Sequence, residues 1–142
     1  MLFRSSPRAS ASNPRWPYLL QAAIAACHAR AATAAETDWV LITALYDELA
    51  RLSPSPVVEL NRAVAVSMAY GPAAGLELTD RLAAQGTLRS YHLLPSVRGD
   101  LLAKLGRYQE ARGEFERAAT LTQNRRESRL LLDRAAACGS GI

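Results

Sequence analysis

Apolar residues recur along the chain at spacings of three and four, the period at which one face of an α-helix meets a core, and no stretch alternates with period two. From Trp16 onward the pattern divides into segments joined by short breaks, which predicts about seven helices and no sheet. Pro17 suits a first helical turn, where its missing N–H costs nothing, and opens a helix running to about Ala32. Glu36 or Thr37 marks the next entry. That second helix carries Trp39, Ile42, Tyr46 and Leu49 on one face and stops before Ser53-Pro54-Ser55-Pro56. The third runs from about Val57 to Tyr70, with Leu60, Val64 and Met68 on one stripe, until Gly71-Pro72 breaks it. A fourth reaches Ala84 and ends at Gly86. Ser90 is the cap candidate for the fifth, whose Leu94, Val97, Leu101 and Leu105 align up to Gly106. The sixth spans about Tyr108 to Thr122. Asn124 can cap the seventh, which carries Leu130, Leu131, Ala135 and Cys138 before Gly139-Ser140-Gly141. Short loops force neighbouring helices to lie antiparallel, so a bundle around one axis and a helical solenoid are the two architectures to separate.

An internal repeat favours the solenoid. The run from Leu102 through Gly106, Tyr108 and Ala111 to Phe115 and Ala118 resembles the tetratricopeptide repeat. Gly106 lets the chain turn, Tyr108 plugs the hinge, and Ala111 allows two helices to approach where a larger side chain would wedge them apart. Gly99, seven residues before Gly106, is a second small position at which the first helix of the pair can near its partner. Gly71 lies 35 residues before Gly106, close to the period of about 34, and Gly75, Thr79 and Leu82 take the places of Ala111, Phe115 and Ala118 if one turn residue is deleted. Trp39, Ile42, Tyr46, Leu49 and Pro54 repeat the spacing once more, two periods before Tyr108. The predicted fold is therefore all-α: tetratricopeptide-like antiparallel pairs forming a right-handed solenoid over residues 16–138, with the seventh helix as a cap on an open apolar edge.

Composition adds little that conflicts. Of the 142 residues, 49% are hydrophobic and 21% charged, which suits one globular unit and excludes disorder over the whole chain. Alanine and leucine dominate the apolar set, consistent with helix. The net charge of +4 arises from 17 basic and 13 acidic side chains. Arg125, Arg126, Arg129 and Arg134 make a basic face on the last helix, but no groove-reading motif accompanies it. Cys27 and Cys138 stand alone in alanine-rich helical patterns, so reduced buried thiols in a cytoplasmic protein are expected.

No apolar run reaches the ~18 residues of a membrane span. Residues 1–15 have no hydrophobic period and read as a disordered or artificial segment; Leu2-Phe3-Arg4-Ser5 is what a sequencing-adapter string encodes, which implies a truncated frame. Residues 139–142 read as a flexible tail. Ile24-Ala25-Ala26-Cys27 after Arg4, Arg8 and Arg15 imitates a lipoprotein signal, although the helical pattern continues through His28 and Ala29.

A tetratricopeptide-like stack exposes an inner groove made by the first helix of each pair, here the first, third and fifth. Candidate partner contacts on them are Gln21, His28, Asn61, Arg62, His92, Arg98 and Asp100, with Asn61 and Asp100 preferred by the repeat alignment. The plain alternative is that these side chains cap helices or lie in solvent. Nothing points to catalysis, a cofactor or a metal. The two histidines, His28 and His92, have no relay or ligand partners in sequence, Cys27 and His28 diverge by about 100° on a helix, and phosphate-binding glycine loops are absent.

Four strings carry a further resemblance: Pro17 to Ala29 (PYLLQAAIAACHA), Ser55 to Val66 (SPVVELNRAVAV), Tyr91 to Leu102 (YHLLPSVRGDLL) and Phe115 to Ala119 (FERAA). In content and order they resemble the C-terminal extension of a group of bacterial extracytoplasmic-function RNA polymerase sigma factors. The resemblance covers nearly all of Pro17 to Cys138. It implies a tetratricopeptide-like regulatory module acting in transcription initiation through protein contacts with the sigma domains, RNA polymerase or a regulator, and reaching DNA only through two sigma domains missing from this chain. Arg15-Trp16 and Leu19 depart from that group's pattern at the entry to the first helix. A free-standing adaptor holding a peptide in its groove and an exported lipoprotein remain the alternatives.

Overall fold

The structure, a computed structural model, describes residues 15–31 and 36–140; the expectations for 1–14 and for the last two residues lie outside it. Among the described residues are seven α-helices and no strand: α1 (Trp16–Arg30), α2 (Trp39–Leu52), α3 (Pro56–Tyr70), α4 (Pro72–Gln85), α5 (Leu93–Lys104), α6 (Tyr108–Leu121) and α7 (Arg125–Ser140).

Local chemistry sets most boundaries. Ser55 Oγ accepts from the Val57 and Val58 amides at 3.2 and 3.5 Å, and Pro56 follows at the first helical position, so α3 begins with its orphan donors partly satisfied. At the α5–α6 turn the Arg107 amide donates to Leu102 O at 2.9 Å and the Gly106 amide to Ala103 O at 3.0 Å. This six-to-one and shorter bond pair closes a helix through a left-handed residue, and Gly106 supplies it at φ +78°. Asn124 Oδ1 accepts from the Glu127 amide at 3.0 Å and starts α7.

Four sequence expectations need correction. Asp38, rather than Glu36 or Thr37, caps α2, its Oδ1 accepting from the Leu41 amide at 3.1 Å. Ser90 does not cap α5, which starts three residues later after a turn held by Tyr91 N–H to Leu88 O and Leu94 N–H to Tyr91 O. Burial of Leu88 with Leu60, Leu82 and Leu94 winds that turn inward, and Pro95 falls in the first turn where no donor is missed. Met68 and Leu130 are exposed rather than core-facing, because Leu60, Ala63 and Ala65 bury α3 and Leu131, Ala135 and Cys138 bury α7. Finally, α7 continues through Gly139 to Ser140, past the expected boundary at 138.

Each helix packs on its neighbours in sequence, and α3 also touches α5. The core is strung out accordingly. Leu20, Ile24 and Cys27 of α1 meet Ile42, Leu45 and Leu49 of α2 and Ala65 of α3; Leu60, Leu82, Leu88 and Leu94 form a middle patch; Leu76, Leu101, Leu102, Phe115, Leu131 and Cys138 gather in the last. A bundle would centre one core on one axis, whereas three successive patches are the arrangement of stacked pairs.

The repeat positions are where the rods come closest. A Cβ at Gly99 would lie 2.6 Å from Phe115 Cε1, so the Phe115 ring of α6 presses directly on the α5 backbone. One repeat earlier the contact is inverted: a Cβ at Gly75 of α4 would meet Ser67 Cβ at 2.5 Å and Ala63 O at 2.9 Å on α3. Ala111, Ala118 and Thr79 are fully buried, as are Ile42 and Leu49 in the first pair. Gly71, at φ +105°, stands at the corresponding helix boundary one repeat earlier, with its amide donating to Ser67 O at 2.9 Å. Tyr46 is half-buried, and Tyr108 stays partly exposed beside Phe115 rather than sealed in the hinge.

Candidate protein-docking groove

The first helices of the pairs leave one face of α3 uncovered. Val57, Asn61, Val64 and Met68 follow one another at spacings of four, three and four, so they form a single stripe about 16 Å long at 1.5 Å per residue. Val57 and Met68 are 40% and 41% exposed and Asn61 is exposed, with Val64 half-buried between them, so the stripe is only partly covered by its neighbours. Two hollows open along it. The first, of about 350 Å³, is lined by Gln21 and Ile24 of α1, Tyr46 and Leu49 of α2, and Ser55, Val57, Val58 and Asn61. The second, of about 240 Å³, lies between α3 and α5, with Val64, Met68, Val97, Asp100 and Lys104 on its walls and Arg134 of α7 at its edge.

The first hollow carries no charge. Among the described residues the Gln21 and Asn61 amides make no hydrogen bond, so they face it with donors and acceptors unused. Burial pushes the Tyr46 hydroxyl above the usual phenol range, keeping it neutral there. The second hollow is charged at one end. Asp100 accepts from Arg134 at 2.8 Å and pairs with Lys104 at 3.0 Å. Burial pushes its carboxyl up, but hydrogen bonds from Arg134 and Lys104 outweigh that and hold it below the ordinary range. Arg134 also lies 4.4 Å over the Phe115 ring, so its guanidinium is fixed from two sides.

Of the seven contact residues expected from sequence, the structure brings Gln21 and Asn61 together in one hollow and puts Asp100 in the next. The others are occupied elsewhere. Arg62 Nε reaches Asp47 of α2 at 2.5 Å, and His92 Nε2 sits 2.8 Å from Glu127 of α7. Arg98 turns away from the groove to Asp80 and Thr79 of α4 and to Glu114 of α6 at 3.6 Å, tying three helices together from behind. His28 packs its ring edgewise against Trp39, 5.2 Å between centroids. Sequence reasoning missed Met68 as a groove residue because it set Met68 on one stripe with Leu60, it read Val57 only as the start of the helix, and it missed Arg134 because nothing local links positions 34 residues apart. The signal available was Asn61 itself, a polar residue in register with Val57, Val64 and Met68.

Among the described residues no three His, Cys, Asp or Glu side chains group to hold a metal ion, and no helix is long and apolar enough to cross a membrane. No protein-family model matches the chain. An uncharacterised protein of Rhizobium meliloti (strain 1021) is 50% identical over 124 residues, covering 85% of this chain but 29% of that protein, so the chain spans less than a third of its relative's length. The first tetratricopeptide domain of the human RPAP3 protein, solved by NMR, superposes with a TM-score of 0.70 over 91% of this chain and 96% of that domain, at 21% identity. At that identity the likeness is one of fold, and the fold of this chain is a tetratricopeptide-like helical array.

Proposed function

We propose that the chain is a regulatory protein-interaction module of an extracytoplasmic-function sigma factor, acting in transcription initiation by holding or releasing the sigma domains, the polymerase or a regulator. The observation that carries an interaction role is the uncovered α3 stripe flanked by two hollows, with Gln21 and Asn61 unbonded beside it. An exposed apolar stripe of this kind gains by being covered, and preformed amides give the cover a register. The sigma-factor context rests on the four strings from Pro17 to Ala119. The length of the Rhizobium relative is consistent with it, since more than two thirds of that protein lies outside the match and leaves room for further domains.

The test is binding between this chain and separately expressed sigma domains of that factor group, by calorimetry, with Asn61→Ala and Asp100→Ala beside the wild type. Micromolar binding weakened several-fold by either substitution is the expected result; no binding at tens of micromolar overturns the reading. A free-standing adaptor is the second reading, equally consistent with the tetratricopeptide-like fold. It predicts peptide binding in the groove with no affinity for sigma domains.

A further inference from the structure

Charge is unevenly divided between the two layers of the stack. Helices α1, α3, α5 and α7 carry eight basic and four acidic side chains, a net of +4, while α2, α4 and α6 carry four basic and seven acidic, a net of −3. The groove lies on the basic layer. Of the side chains lining its two hollows, Lys104, Arg134 and Asp100 are charged, leaving one cation in excess at the α5 end. The serine hydroxyls of the second hollow are already engaged, Ser67 Oγ donating to Val64 O at 2.7 Å and Ser96 Oγ to His92 O at 2.9 Å. What remains for an occupant is an apolar strip, two amides and the Tyr46 hydroxyl at one end, and a cationic rim at the other.

From this complementarity we infer that the groove takes an acidic amphipathic helix, its apolar side on Val57, Val64 and Met68 and its carboxylates toward Lys104 and Arg134. An extended segment would bring a row of backbone N–H and C=O groups onto Val64, Met68 and Val97, which offer them no partners; a helix satisfies its own backbone and presents side chains at the three-and-four spacing the stripe already has. A basic helix would meet the excess cation at the rim. The inference rests on the proposed interaction role and narrows it to a class of partner.

The probe is a set of three fluorescein-labelled 16-residue peptides with leucine fixed at i, i+3, i+4 and i+7 repeats and the outward positions all Glu, all Gln or all Lys, titrated with the whole chain by anisotropy. The Glu peptide is expected to bind at least tenfold tighter than the Gln peptide, with the Lys peptide weakest, and the Glu advantage should shrink as salt rises. Met68→Ser and Lys104→Gln, both at exposed positions, should each weaken the Glu peptide three- to tenfold. A triple Arg125→Ala, Arg126→Ala, Arg129→Ala variant on α7 should not. Equal binding of Glu and Gln peptides overturns the inference, as does loss of binding in the α7 variant with none in Met68→Ser, which would place the contact on general basic charge. If sigma domains bind but the Glu peptide does not, the acidic-helix inference falls alone. If the peptide binds and sigma domains do not, the sigma-factor reading falls alone.

Discussion

Adding one methyl group at Gly99 measures how much of this fold depends on the close approach of α5 and α6. In an unhindered helix interior Gly→Ala stabilises by about 1 kcal/mol, because alanine loses less backbone entropy. At Gly99 the new Cβ would stand 2.6, 2.7 and 2.9 Å from three atoms of the Phe115 ring, against ordinary contact beyond 3.4 Å. The ring cannot tilt away cheaply, since it is 1% exposed and Arg134 lies 4.4 Å from its centroid. Overpacking of this kind costs about 1–3 kcal/mol, and with three ring atoms involved the upper part of that range applies, so the net expectation is a loss of about 1–2 kcal/mol. For a chain of this size that lowers Tm by about 3–8 °C. Gly113 provides the control: it lies on α6 with nothing within 4 Å of its would-be Cβ and without a positive φ, so Gly113→Ala should raise stability by about 1 kcal/mol. Urea and thermal unfolding followed by circular dichroism at 222 nm would give both values. In a Phe115→Leu background the Gly99→Ala loss should shrink by about 1 kcal/mol or more, since the clashing ring is gone. Should Gly99→Ala raise Tm as Gly113→Ala does, the two helices are not in the contact described and the repeat register is wrong.

Other substitutions probe the remaining packing. Thr43 is buried with its hydroxyl lacking a hydrogen-bond partner, so Thr43→Val should raise stability by about 1 kcal/mol in urea melts. Arg98→Ala should cost about 1–2 kcal/mol, because it removes the guanidinium that bonds Asp80 and lies 3.6 Å from the nearly buried Glu114, which keeps its bond from Arg117; a Glu114→Gln change in that background should recover part of the loss. Asp100 has its folded pKa depressed, so its contribution to stability is complete above its ordinary value of 3.8 and is lost as pH falls through the lower folded value. Asp100→Asn should therefore flatten the acid limb of the Tm–pH curve below about pH 4 while leaving its shape above pH 5 unchanged, and carboxyl chemical shifts followed by NMR would locate the titration directly.

The parts of the architecture that were readable in sequence are those a single residue type enforces. Gly99 against Phe115, Gly106 at a left-handed turn, and Gly75 against Ser67 admit few alternatives, and each fits the repeat, Gly75 once one turn residue is deleted. What could not be read is set by neighbours distant in the chain. The turn after Gly86 looked like a cap at Ser90 because Ser90 has the right chemistry, whereas burial of Leu88 among Leu60, Leu82 and Leu94 decides where α5 begins. Arg98 was assigned to the groove from its helix, yet a long side chain follows its carboxylates, and Asp80 and Glu114 lie behind. Met68 shows the same limit in reverse, since periodicity finds an apolar stripe but not which of two flanking faces the neighbouring helices will fill.

Cohesion that passes mainly between adjoining helices has a consequence for how the chain opens. Contacts of this kind are short in sequence separation, so pairs can form quickly and in more than one order, and no single event locks the whole array. Loss of structure should then begin at an extremity and travel inward, with amide hydrogens of α1 exchanging sooner than those around Phe115, which is gripped by helices on both sides. A ligand spanning α3 and α5 would bridge two such units and convert graded fraying into a more concerted transition.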